Sequence, residues 1–116
     1  MRAQKLQKKA ARVGFDWPDV APVFGKLREE IAELEEAIAK GETVAMEEEL
    51  GDLLFSVVNL ARKLDIGSEA ALAATNEKFI RRFHAVEDQL TATGKKLGEA
   101  TLEEMDAAWD AAKSRE

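Results

Sequence analysis

DVAPVFGKLREEIAELEEAIAKGETVAMEEELGDLLFSVVNLARK, residues 19–63, reads as two helices joined by a tight turn, and the rest of the chain is organised around it. Asp19 is an N-cap residue and Pro22 falls in the first turn, where a missing N–H costs nothing. Val20, Val23, Phe24, Leu27, Ile31, Leu34 and Ile38 then recur at heptad-like spacing, giving the first helix one apolar stripe. Lys40-Gly41-Glu42 is the turn. The second helix, about Val44 to Leu64, differs in kind: Leu53, Leu54, Phe55, Val57, Val58, Leu60 and Ala61 run most of the way round it. Such a helix demands contacts on several sides, more than one small bundle supplies, so a helix-on-helix dimer centred on it is expected.

Outward from this hairpin, helical periodicity continues. A basic segment from Ala3 to Val13 carries a thin stripe of Leu6, Ala10 and Val13. A fourth segment opens at Ser68 and repeats Leu72, Thr75/Asn76, Phe79, Phe83, Val86 and Leu90. The last opens on a capping box, Thr101 to Glu104, and carries Leu102, Met105 and Trp109. Both prolines lie between residues 17 and 22, and Gly14, Gly41, Gly67, Gly94 and Gly98 fall where periodicity stops. No strand alternation, low-complexity tract or internal repeat is present. The expected fold is all-α, a four-helix bundle with an additional C-terminal helix, forming a single domain over residues 1–116.

Composition narrows the function classes. A chain of 116 residues is one domain's worth, and the absence of cysteine excludes disulfide frameworks and thiolate metal sites, as suits a reducing cytoplasm. The start, Met1-Arg2-Ala3-Gln4-Lys5, lacks the apolar core of a signal peptide, and no stretch is apolar for long enough to span a membrane, so a soluble cytoplasmic protein is expected. A formal net charge of −6 argues against nucleic acid as a partner.

Against that background two acidic pairs stand out. Glu30 and Glu33, inside Glu29-Glu30-Ile31-Ala32-Glu33, lie beside the apolar stripe of their helix; Glu49 and Asp52, inside Glu49-Leu50-Gly51-Asp52, continue through Ser56 and Asn59 as a polar ridge down an otherwise apolar cylinder. Glu-rich helices are ordinarily solvated surface, and EExxE alone would be read so. Antiparallel packing through the Gly41 turn, however, brings all four carboxylates into a pocket that repels itself unless a cation fills it. All-oxygen ligands select a hard ion, Mg²⁺ with Mn²⁺ as a substitute. Gly51 in mid-helix costs about 1 kcal/mol relative to alanine, so close approach by another helix or a phosphate is expected there. A di-iron carboxylate bundle needs two Glu-x-x-His pairs, whereas the only histidine, His84, follows Arg81 at three residues and is expected at the surface.

On the fourth helix Lys78 and Arg82 are one turn apart and flank the core stripe, as a phosphate clamp would, although surface cations paired with Glu77 and Glu87 look the same in sequence. Asn76, near the core edge, can bind a metal-linked water, a phosphate or backbone. Phe15, Trp17 and Trp109 are candidates to stack on a base, against the ordinary fate of bundle aromatics as core or interface.

Together, Val13-Gly14-Phe15-Asp16-Trp17-Pro18-Asp19, EExxE, ExxD with Leu53-Leu54-Phe55, and Thr75-Asn76-Glu77-Lys78-Phe79 with Arg81-Arg82-Phe83 closely resemble the MazG nucleoside triphosphate pyrophosphohydrolases, in particular their C-terminal catalytic half. The likeness extends to the tail Thr101-Leu102-Glu103-Glu104-Met105 with Trp109. It implies Mg²⁺-dependent hydrolysis of (d)NTP to (d)NMP and pyrophosphate by an all-α dimer or dimer of dimers. In that likeness Glu30, Glu33, Glu49 and Asp52 are the metal ligands, Lys78 and Arg82 the phosphate contacts, Trp109 lies near the nucleotide, and Glu29 is the water-activating base with Glu48 in reserve. Larger bacterial members carry two copies of the domain; one is present in this sequence. Nucleotide house-cleaning is the expected role. The alternatives are a related pyrophosphohydrolase of dUTP, dCTP or phosphoribosyl-ATP, and a non-catalytic nucleotide-sensing or dimerising helical module.

Overall fold

A computed structural model describes residues 2–116. Among the described residues there are five α-helices and no strand: α1 (Arg2–Arg12), α2 (Val20–Lys40), α3 (Thr43–Lys63), α4 (Ser68–Ala92) and α5 (Leu102–Ser114), with a 3₁₀ turn at Leu97–Glu99. The all-α class and the helix order are those expected from the sequence, with boundaries differing only by the usual residue or two. The chain divides into two compact units, the first ending at Ala71 and the second comprising Leu72–Glu116.

In the first unit α2 and α3 form a hairpin and α1 packs on α3. Asp19 caps α2 as expected, its side chain accepting from the Ala21 N–H at 3.1 Å. Gly41 ends the helix in the left-handed conformation (φ 67°), where a β-carbon would clash with its own carbonyl, and its N–H closes on Ala37 and Ile38. Two residues after α2 the chain has already entered α3, so the helices run antiparallel. Val23, Ala37 and Val58 are buried between the packed elements, together with the polar side chains of Gln7, Glu30 and Ser56. No other helix among the described residues makes the close approach expected at Gly51: beyond its own helix backbone and chain neighbours, a β-carbon there would meet nothing within 4 Å.

In the second unit Val86 and Leu90 of α4 and Ala108 of α5 form the core, flanked by Leu97, Ala100, Met105 and Trp109. The Thr101 capping box is complete, with Thr101 Oγ1 accepting from the Glu104 N–H at 3.1 Å and Glu104 accepting from the Thr101 N–H at 3.0 Å. His84 is exposed, as expected.

The all-round apolar character of α3 is not satisfied within the chain. Val58 is buried, yet Leu50, Leu54, Phe55 and Val57 are 43–59 % exposed, as are Phe24 and Ile31 of α2 at 42 % and 46 %.

Candidate functional site

Antiparallel pairing sets residue 30 of α2 opposite residues 49–52 of α3, and carboxylate oxygens of Glu30, Glu49 and Asp52 lie within 4.8 Å of one another. They differ in environment. Glu30 is buried, Glu49 half-buried and Asp52 exposed, so the cluster opens from the hairpin interior towards solvent. Lys26, one turn before Glu30, holds one of its oxygens at 3.0 Å, while Glu30 Oε2 and Glu49 Oε2 are buried without a hydrogen-bond partner. Glu33 joins through Glu49: the hydrogen bond between their carboxyl groups, then burial, then the charges of Glu33, Glu30 and Asp52 push the Glu49 carboxyl up to about 7. Carboxyls that share protons and orphaned oxygens are what an acidic cluster does when no cation balances it. The donor set is oxygen alone and the orphaned oxygens need a positive partner, so these residues fit a hard divalent ion.

Of the other acids expected at the site, Glu29 is exposed and 3.6 Å from Lys26, outside the converging trio, and Glu48 is exposed on α3.

One turn along the hairpin from the acids lies a cavity of about 420 Å³, walled by Leu6, Gln7, Ala10, Gly14, Phe15, Trp17, Lys26, Phe55, Ser56 and Asn59. Asp16 and Arg62 complete the lining, so the apolar and aromatic surface of Leu6, Phe15, Trp17 and Phe55 is met by polar and charged side chains at several points. Trp17, read from the sequence as a candidate base contact, is one wall; the polar ridge of Ser56 and Asn59 is another. The loop bearing Phe15 and Trp17 is clasped by α3. Arg62 forks onto Asp16 at 2.5 and 3.2 Å, and Lys63 reaches Asp16 at 3.3 Å and the Trp17 carbonyl at 2.8 Å. The Arg62 guanidinium chiefly, with Lys63 and the Trp17 N–H, holds the Asp16 carboxyl far below the usual carboxylate range.

Sequence reasoning missed Lys26 and Gln7. Lys26 was discoverable, because a Lys four residues before Glu30 must share its helix face. Gln7 carried no signal: a single glutamine in a basic helix is ordinary, and only the tertiary packing buries it to 5 % exposure.

In the second unit Arg82 donates two bonds to the Glu116 carboxylate, at 2.8 and 2.7 Å, and its guanidinium lies over the Trp109 ring at 5.6 Å. Phe79 packs beside Phe83 and Trp109, with ring centroids at 5.7 and 5.5 Å. Lys78 is half-buried and Asn76 exposed on the same helix. Arg82 thus already grips an oxyanion in the bidentate manner that suits a phosphate equally well.

Comparison with known proteins assigns the chain to a family. The MazG nucleotide pyrophosphohydrolase domain matches residues 23–86, which include both acidic pairs and the Lys78/Arg82 pair. The chain is 48 % identical over 118 residues to a nucleoside triphosphate pyrophosphohydrolase of Escherichia coli K12, an alignment spanning 100 % of this chain and 45 % of that protein. It is 43 % identical over 111 residues to the nucleoside triphosphate pyrophosphohydrolase/pyrophosphatase MazG of Thermotoga maritima, spanning 96 % of this chain and 42 % of that one. With the uncharacterized protein YabN of Bacillus subtilis it shares 46 % identity over 68 residues, 59 % of this chain and 14 % of that protein. The chain therefore spans less than half the length of these relatives.

Proposed function

The chain belongs to the MazG nucleotide pyrophosphohydrolase family, and from that premise we propose that residues 1–116 act as one catalytic domain hydrolysing (d)NTP to (d)NMP and pyrophosphate. The observation that carries the reading is the cluster of Glu30, Glu49 and Asp52, with orphaned oxygens, beside an apolar, aromatic-walled cavity. An anion-hydrolysing site needs the first; a nucleobase needs the second.

Glu30, Glu33, Glu49 and Asp52 would hold Mg²⁺, or Mn²⁺ in its place, and the bound ion supplies charge neutralisation for a polyanionic triphosphate. The chain's own groups do the remainder. Lys26, fixed on Glu30 and on the cavity wall, stands where the nucleoside and phosphate ends of a substrate meet. Glu29, solvent-open on the same turn as the ligands, accepts the proton of the attacking water on a carboxylate oxygen. The water oxygen bonds to phosphorus as the bridging P–O bond breaks, and the electron pair leaves on the departing phosphate oxygen. Glu48 is the reserve base.

Lys78 and Arg82 are the phosphate contacts, Arg82 by exchanging the Glu116 carboxylate for a phosphate, with Trp109 and Asn76 as nearby substrate contacts. The base stacks against Trp17 within the cavity. A homodimer or dimer of dimers is the working assembly, the cytoplasm its place, and removal of unwanted nucleotides its role; neither nucleic acid nor membrane is a partner. Among the described residues no helix is long and apolar enough to cross a membrane.

Incubation with a panel of NTPs and dNTPs plus Mg²⁺ tests this. Monophosphate and pyrophosphate should appear in equal amounts and disappear with Asp52→Asn. Orthophosphate as the product, or nucleotide binding with no turnover, would refute the assignment, the latter in favour of a sensing module. Turnover of dUTP, dCTP or phosphoribosyl-ATP alone would mark a dedicated pyrophosphohydrolase.

A further inference from the structure

Phe15 and Trp17 line the cavity from a stretch of chain that is neither helix nor strand, so no regular ladder fixes where they stand. The Phe15 N–H closes on the Ala10 carbonyl at 3.1 Å, which ties the start of the loop to the end of α1. Beyond that point the support comes from elsewhere. Among the described residues, every hydrogen bond from Asp16 or Trp17 to another element of the fold ends on Arg62 or Lys63 of α3.

Asp16 is the junction. Its Oδ1 accepts both the Trp17 N–H at 2.8 Å and Arg62 Nη2 at 2.5 Å, while Oδ2 accepts Arg62 Nη1 at 3.2 Å. The guanidinium is held in turn, because Nη2 also donates to Asn59 Oδ1 at 2.9 Å and the Arg62 side chain is 11 % exposed. Trp17 is therefore tied to α3 on both sides of its α-carbon, through Asp16 at its N–H and directly to Lys63 at its carbonyl. A two-point Arg–carboxylate fork fixes direction as well as distance. Trp17 needs that fixing, since at 37 % exposure packing covers it only in part. A base stacks well only on a ring already held in place, because a mobile ring must first be ordered.

On the reading of the cavity as the nucleobase site, we propose that Asp16 and Arg62 are positioning residues, through which α3 fixes the Trp17 ring as the surface on which the base of the substrate stacks. The clasp thus governs how tightly the nucleoside is held, while hydrolysis at the acidic cluster proceeds independently of it.

A double-mutant cycle tests this, using the full chain, Mg²⁺ and the triphosphate that the wild type turns over fastest. Asp16→Asn keeps the size of the side chain and an acceptor for the Trp17 N–H but gives up the charge that Arg62 grips; Trp17→Ala removes the ring. Each alone should raise KM by about tenfold and leave kcat within about twofold. The double variant should match the KM of Trp17→Ala within about twofold, because Asp16 acts only through the ring. Should Asp16→Asn not fold, Arg62→Lys, which keeps the charge and loses the fork, takes its place in the cycle. An unchanged KM, a fall in kcat as large as the rise in KM, or effects that multiply in the double variant overturn the proposal. The clasp is then only an anchor for the chain between α1 and α2, and the hydrolase reading stands. If the wild type turns over no triphosphate, the hydrolase reading fails by itself, and calorimetric titration of ATP runs the same cycle on Kd. A tenfold weakening by Asp16→Asn that vanishes in the Trp17→Ala background supports the clasp; equal affinity throughout, or no binding, ends it.

Discussion

Glu49 shows how one residue's setting becomes a measurable property. Its carboxyl is pushed up to about 7 by its bond to Glu33, by burial and by neighbouring acids. In the metal-free protein the folded state therefore holds a proton that the unfolded chain has released. Stability is then greatest below the ordinary carboxylate range and falls as pH rises towards about 7. Thermal melts in chelator should show Tm declining across that interval, with Glu49→Gln flattening the decline and Mg²⁺ abolishing it. Asp16 works the other way: its lowered pKa contributes stability that is present at neutral pH and lost only in strong acid. Arg82 carries the second residue-scale prediction. Arg82→Ala should lower kcat/KM by at least tenfold, about 1.4 kcal/mol, with the Val86, Leu90 and Ala108 core untouched and circular dichroism unchanged. Lys78→Ala should act in the same direction more weakly, a flexible point charge being less directional than a guanidinium fork. Unchanged kinetics would make Arg82 a structural partner of Glu116 and Trp109 only.

Helix α3 is the element that the acidic cluster, the cavity and the exposed apolar surface share. Asp52→Asn removes one ligand and one repulsive charge together, so it should abolish pyrophosphate release while leaving the metal-free protein as stable as wild type or more so. Mg²⁺, binding only the folded state, should raise the wild-type Tm, by a stabilisation of about 2.7 kcal/mol at 100 times Kd, and should not raise that of the variant. A destabilised Asp52→Asn protein, with no Mg²⁺ shift in either melt, would make the acids structural partners of nearby cations. Gly51, one residue earlier, tests what approaches the helix from outside. Since a β-carbon there meets nothing beyond its own helix backbone and chain neighbours, Gly51→Ala should stabilise α3 by about 0.5–1 kcal/mol in the isolated chain. If a second subunit or a phosphate does come close, the same substitution should weaken dimerisation or raise KM, and analytical ultracentrifugation and kinetics separate the two.

At the scale of the molecule the dominant fact is apolar surface left uncovered: Phe24, Ile31, Leu50, Leu54, Phe55 and Val57 of the central hairpin are all more than two-fifths exposed. So many large apolar side chains left open to solvent on one hairpin mark an interface more often than free surface. Sedimentation at micromolar concentration should find a dimer or larger assembly, and Leu54→Glu, placing a charge on the most exposed of the α3 leucines, should shift it towards monomer with a lower Tm. A wild-type monomer would remove the dimer from the proposal.

The helical hairpin, the caps of α2 at Asp19 and of α5 at Thr101, the Gly41 stop and the meeting of acids from two helices were legible in the sequence, because each follows from local capping chemistry, a period of 3.6 residues or a short antiparallel turn. Lys26 belonged to the same local logic and was readable by the same rule. The clasp of Arg62 on Asp16, the cavity behind Trp17 and the burial of Gln7 against Phe55 join residues 46 and 48 positions apart, for which no periodicity speaks. Local pattern determines which face of a helix is apolar; only the packing of α1 on α3 decides which polar atom that face seals away from water without a partner.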